Sequence, residues 1–102
     1  MIIFVDIDET ICFYDEEIAL DGKKEYSKAI PNQENIDKIN KLYDEGNKIV
    51  YWTARGSRSG IDWLNFTSTQ LLSWGCKFHH IRCDKPYYDV FIEDRSKRIE
   101  EV

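Results

Sequence analysis

A chain of 102 residues, 42% hydrophobic and 14% aromatic, buries enough surface for one compact domain, residues 1–102, and has no room for a second. Its formal charge of −5 excludes a broad nucleic-acid-binding face, which needs clustered Lys and Arg, but still allows a small phosphorylated ligand held by one or two local cations. No apolar run approaches the roughly 18 residues of a membrane span, so no membrane partner is expected.

Cys12, Cys76 and Cys83 are odd in number, form no CxxC pair and follow no secretory signal, which predicts reduced thiols in the cytoplasm. Residues 2–6 (IIFVD) are apolar and β-branched or aromatic, as in a strand covered on both faces. Residues 12–30 are polar, with a turn signal at Asp21-Gly22 between short strand candidates, and are predicted to form a small flap. A helix is predicted from Ile36, Ile39 and Leu42 or Tyr43, with Pro31 at its start and Gly46 as its stop.

KIVYW at 48–52 reads as a second covered strand. A second helix is predicted from about Gly60 to Trp74, with Ile61, Leu64, Leu71 and Leu72 toward the core and Gly75 ending it. Residues 78–82 (FHHIR) and 89–92 (DVFI) are further strand candidates, and 95–101 (RSKRIEE) a short charged helix. Strands and helices alternating at these lengths predict an open α/β sheet with right-handed crossovers, whose crevice lies at the carboxyl ends of the strands.

The residues with chemistry gather at that edge. Asp6 and Asp8 end the first strand, and period-two alternation turns both toward one crevice. Two carboxylates that close repel, so one is protonated or a cation sits between them, and hard oxygen ligands suit Mg2+. The alternative is an ordinary polar loop at Asp8, Glu9 and Thr10. Thr53 ends the second strand, where its hydroxyl is placed to meet a phosphoryl oxygen or simply to cap the turn.

Arg55 and Arg58 follow as candidates for recognising an anionic substrate, or as solvated loop residues. Lys85, held extended by Pro86, is positioned to carry an ammonium into the crevice. Asp94 and Glu93 follow the DVFI segment as further oxygen ligands, or as charges favourable to the helix dipole after them. Asp89 is either an anchor for the Lys85 loop or a further acidic site residue. Adjacent His79 and His80 on a strand point to opposite faces and do not share one ion. Trp63, Phe66 and Trp74 give the second helix an aromatic face for core packing or a subunit contact.

The order DIDET, then Thr at the end of a second apolar strand, then KP, then an apolar strand with an acidic pair resembles the four motifs of the haloacid dehalogenase (HAD) superfamily of phosphotransferases, from Asp6 to Asp94. TARG with KPYYDVFIEDR looks most like the small phosphatases associated with capsule or surface-polysaccharide biosynthesis. The resemblance implies a Rossmann-like three-layer α/β sandwich with a mainly parallel sheet and a small flap instead of a cap domain. It implies a Mg2+-dependent phosphatase acting through an aspartyl phosphate on a small phosphorylated metabolite, with a sugar phosphate first.

Asp6 is then the nucleophile and Asp8 the general acid/base, while Thr53 and Lys85 hold the phosphoryl group. Thr10 shapes the turn beside the substrate, and Arg55 and Arg58 bind the rest of it. Mg2+ falls to Asp6, the backbone carbonyl of Asp8 and Asp94, with Glu93, where relatives often carry Asp, as an alternative ligand. A flap alone commonly goes with a site covered by a neighbouring subunit or a large substrate, so a homo-oligomer is among the implied partners. Glu93-Asp94-Arg95 also resembles nucleotide and polynucleotide-end phosphatases, and a third reading is a non-catalytic HAD-fold binding or regulatory module.

Overall fold

KIVYW forms a strand over its full predicted length because it is covered on both faces: Ile49, Val50 and Tyr51 are buried in succession. This and the other elements are taken from a computed structural model that describes residues 1–15 and 25–102. In chain order they are β1 (Ile2–Val5), β2 (Cys12–Phe13), β3 (Ile30–Pro31), α1 (Gln33–Asp44), β4 (Lys48–Trp52), α2 (Leu64–Ser73) and β5 (His80–Arg82), with 3-10 turns at Tyr26–Lys28 and Ile99–Glu101. Among the described residues the fold is a small α/β one, a three-stranded sheet in the order β1-β4-β5 with two α-helices.

Both pairings are parallel, Val5 opposite Tyr51 and Trp52 opposite Arg82, so β1, β4 and β5 end at one edge. β1 differs from expectation. Only alternate residues turn inward: Val5 is buried and Ile3 packs on the core, while Ile2 and Phe4 are exposed. As an edge strand it has a neighbour on one side only. Phe4 instead meets Trp52 edge-to-face at 5.5 Å on the outer surface of the sheet.

The first helix forms as predicted. Asn32 caps α1 by accepting from the Asn35 N–H at 3.0 Å, Ile36 and Ile39 are its buried residues, and Gly46, at φ 96°, ends it. α2 is shorter than the 60–74 pattern. Leu71 points inward as predicted, with Thr67, while Ile61, Leu64 and Leu72 are exposed. Apolar spacing missed Thr67 because it is a hydroxyl residue, whose oxygen accepts a bond from Arg55.

Within the predicted flap segment 12–30, of which 16–24 lie outside the described residues, Cys12 pairs antiparallel with Pro31 and Phe13 with Ile30. The Asp21-Gly22 turn lies outside the described residues. The third strand is His80–Arg82, shorter than FHHIR. His79 is structural: its Nδ1 accepts from the Ile49 N–H at 3.1 Å and its ring stacks on Tyr43.

Two expectations near the end of the chain are not met. Residues 89–92 form no strand and pair with neither edge of the described sheet; Val90 and Ile92 face solvent and Phe91 lies against Tyr88 at 5.3 Å. The charged helix over 95–101 reduces to one 3-10 turn, whose Ile99 packs on the core and accepts a hydrogen bond from Lys38. Cys12 and Cys76 are buried free thiols and Cys83 a half-buried one. No helix among the described residues is long and apolar enough to cross a membrane.

Candidate active site

Alternation at the end of β1 sends Ile7 fully into the core and leaves Asp6 and Asp8 at the mouth of the sheet. The chain then turns at once. Thr10 and Ile11 donate to the Ile7 carbonyl, Glu9 donates to Cys12 at 2.9 Å, and Glu9 takes φ 64°, the one positive φ of a non-glycine among the described residues. Thr10 serves this turn, its carbonyl accepting from Asn35 at 2.9 Å, and it does not line the cavity.

Parallel pairing sets the end of β4 beside that turn, and with it Thr53, which is 1% exposed. The Thr53 hydroxyl accepts from the Arg55 N–H at 3.2 Å, so it caps the turn while it lines the cavity. The segment after β5 is tied to the same point: the Lys85 N–H donates to the Thr53 carbonyl at 3.2 Å, and the Lys85 carbonyl accepts from the Ser57 hydroxyl at 2.6 Å. That carries the Lys85 Nζ to 3.6 Å from Asp6 Oδ1, over the rings of Trp52 and Tyr88. Burial pushes the Asp6 carboxyl above its ordinary value, and the Lys85 charge and the Ile7 N–H oppose that push.

Asp8 is held quite differently. Arg55, predicted to meet substrate, is 1% exposed and closes a fork on Asp8, Nε to Oδ2 at 3.0 Å and Nη2 to Oδ1 at 2.8 Å. The Tyr14 hydroxyl adds a bond to Asp8 Oδ1 at 2.6 Å. Burial and then that bond push the Tyr14 phenol up, so it stays a donor. The rest of the guanidinium is equally engaged, by Thr67 at 3.2 Å, by Gln70 at 2.7 Å and by the Tyr26 ring 4.5 Å away. Arg55 is thus a strut between α2 and Asp8 that also lines the cavity.

A cavity of about 670 Å³ opens over these residues, within the range of small-molecule sites. Its floor holds Asp6, Asp8, Thr53 and Lys85, and its walls include Glu9, Arg58, Tyr87 and Tyr88. Asp89 also lines it. Arg58 is exposed and stacks on Tyr87, with 4.6 Å from guanidinium carbon to ring centroid. Tyr14, Tyr26, Tyr87 and Tyr88 were not picked out from sequence. The aromatic doublet directly after Lys85-Pro86 is a readable signal, whereas Tyr14 and Tyr26 lie within the 12–30 segment and reach the site only through the fold.

Glu93 and Asp94 are not brought to this cavity. Without a strand at 89–92 they stand in solvent, Asp94 with 84% of its side chain exposed beside Arg95. No group of three or more His, Cys, Asp or Glu converges as a metal cage among the described residues. Mg2+ asks for less, being held through one or two carboxylates while substrate phosphate and water complete its shell. The Asp6 carboxylate, raised by burial and so favoured by a nearby cation, suits it as donor.

No family model matches the chain, and no curated protein matches it. Its fold is similar to that of a crystal structure of a structural-genomics target from Vibrio cholerae, with a TM-score of 0.81 and 22% identity over 98% of this chain and 85% of that one. At that identity the likeness speaks for the fold alone: the chain shares a small α/β architecture with a protein from Vibrio cholerae.

Proposed function

We propose that this protein is a HAD-type phosphatase, Mg2+-dependent, that hydrolyses a small phosphorylated metabolite, in first place a sugar phosphate. The observation that carries the reading is the placement of Asp6 and Lys85 3.6 Å apart on the floor of a cavity at the carboxyl ends of parallel strands. The order β1-β4-β5, with a flap rooted just after β1, supports the Rossmann-like three-layer arrangement.

In this reading Asp6 attacks phosphorus, the bond from phosphorus to the leaving oxygen breaks, and Asp8 gives that oxygen a proton. Asp8 then takes a proton from water as the water attacks the aspartyl phosphate, which releases phosphate and restores Asp6. Lys85 neutralises the phosphoryl oxygens and Thr53 donates to them, which matters most for a loose transition state. Arg55 and Tyr14 hold Asp8 as a carboxylate at rest; to act as the acid it first takes a proton from solvent on an oxygen that one of these donors releases, and the remaining bonds keep its orientation. Mg2+, held by Asp6 and the main-chain carbonyl of Asp8, would supply further charge neutralisation.

The test is Mg2+-dependent phosphate release from sugar phosphates, nucleotides and an aryl phosphate, comparing wild type with Asp6→Asn. Turnover that needs both Mg2+ and Asp6 is the expected result. Silence across the panel from folded protein that still binds Mg2+ overturns the reading. One observation favours a second reading, a binding module: Asp8 has both oxygens engaged by Arg55 and one also by Tyr14, an arrangement that equally serves to lock a loop. A module binds phosphorylated ligand without turning it over.

A further inference from the structure

Arg55 and Arg58 stand three residues apart on one loop, yet they meet opposite fates. Arg55 is spent: its guanidinium is gripped by Asp8, Thr67 and Gln70. Lys85 already faces a carboxylate, Asp6, at 3.6 Å. Arg58 alone among the cations lining the cavity has no hydrogen-bonded or ion-paired carboxylate among the described residues, and its one recorded contact is the Tyr87 ring at 4.6 Å. A guanidinium that lies over a ring keeps its N–H donors, and their fork matches a carboxylate or phosphate through two parallel bonds.

We infer that the cavity selects a phosphomonoester bearing a second anionic group, with the phosphoryl end at Asp6 and Lys85 and the second anion on the edge of Arg58 stacked against Tyr87. This deepens the phosphatase reading and rests on it. The cavity is lined by the carboxylates Asp6, Asp8, Glu9 and Asp89 as well as by Arg55, Arg58 and Lys85, and the chain carries a net charge of −5, so a doubly anionic ligand is held only by direct contact of each anion with a cation. Lys85 stands at the reacting end and Arg58 on the wall. A sugar phosphate with no second charge uses the first and leaves Arg58 without a role in binding.

The experiment compares three ligands on one ring: glucose 1-phosphate, glucuronic acid 1-phosphate and glucose 1,6-bisphosphate. They differ at one carbon, which carries a hydroxyl, a carboxylate or a phosphate. Affinity is measured by calorimetry on the Asp6→Asn protein, where no turnover interferes, and kcat/KM on wild type. Tighter binding of the second-anion ligands by about 10- to 100-fold is expected, the range of one charge-assisted interaction. The ratio should collapse toward one in Arg58→Gln and be partly kept in Arg58→Lys, which restores the charge without the fork. It should also shrink as salt rises, because Arg58 is exposed.

Whichever of the two anionic ligands binds better identifies the second group. A wild-type ratio near one, or a ratio that survives Arg58→Gln, overturns the inference. Absence of turnover on wild type with the binding ratio intact overturns the phosphatase reading while leaving the selectivity of the cavity standing.

Discussion

Replacing Arg55 with methionine keeps most of its volume and removes the counter-ion of Asp8. The size of the effect follows from a comparison within this protein. Arg55 to Asp8 and Lys77 to Asp44 are both 2.8 Å ion pairs, but the side chains are 0% and 13% exposed in the first and 49% and 57% in the second. Breaking a buried pair from one side costs about 3–5 kcal/mol, because the remaining charge has lost both water and partner. The residual exposure of Asp8 and the bond from Tyr14 put Arg55→Met at the low end, about 3 kcal/mol. Lys77→Met, at a solvent-screened pair, costs about 0–1 kcal/mol. At roughly 4–8 °C per kcal/mol for a domain of this size, Tm falls by about 12–24 °C for the first and a few degrees for the second. Urea and thermal unfolding of both variants measure the difference. Adding Asp8→Asn to Arg55→Met should cost less than the two single losses together, since neither charge is then stranded. If Arg55→Met lies within about 1 kcal/mol of Lys77→Met, burial does not set the worth of this pair and the strut assigned to Arg55 is refuted.

Glu9→Gly relieves the φ of 64° and should raise stability by about 0.5–1 kcal/mol in urea unfolding; a loss of stability means the Glu9 side chain outweighs the strain. Gly56→Ala and Gly60→Ala share a positive φ, but only at Gly56 would an added Cβ collide with the Ile61 carbonyl oxygen, whereas at Gly60 it meets open space. Gly56→Ala should therefore cost at least about 2 kcal/mol more than Gly60→Ala, and equal costs sink the close-approach explanation. Lys85 is the largest influence holding the raised Asp6 carboxyl down, so Lys85→Met should move the acid limb of kcat/KM to higher pH; a limb that stays or moves lower contradicts Asp6 as the ionised nucleophile. The same raised value means the folded state holds the Asp6 proton more tightly than the unfolded chain. That stability is present below the unfolded value near 3.8 and lost as pH rises through the folded one. Asp6→Asn should accordingly gain on wild type between pH 3 and pH 7 in unfolding experiments, and a constant difference across that range would contradict it.

Legibility in the sequence followed locality. β4 was readable because three successive core residues announce a doubly covered strand, and Asp6, Asp8 and Thr53 were readable because each stands at or just beyond the end of an apolar run. Lys85 was readable through Pro86, which fixes its neighbour's backbone. DVFI failed for the opposite reason: apolar composition states a preference for burial, but a strand also needs a partner ladder, which 89–92 does not have. On α2 the pattern found Leu71 but not Thr67, because apolar spacing does not register a hydroxyl residue, and it placed Ile61, Leu64 and Leu72 inward where they are exposed.

Nothing near Arg55 distinguishes it from Arg58 as a sequence, since both sit in a Gly- and Ser-bearing loop after β4. Their separation is decided by residues far along the chain: Asp8, 47 positions away, and Thr67 and Gln70 on α2 enclose the one, while Tyr87 lies under the other. Of two arginines with equal capacity to bind an anion, the fold therefore turns one inward to hold Asp8 and leaves the other exposed at the cavity wall, where the proposed second anion would meet it.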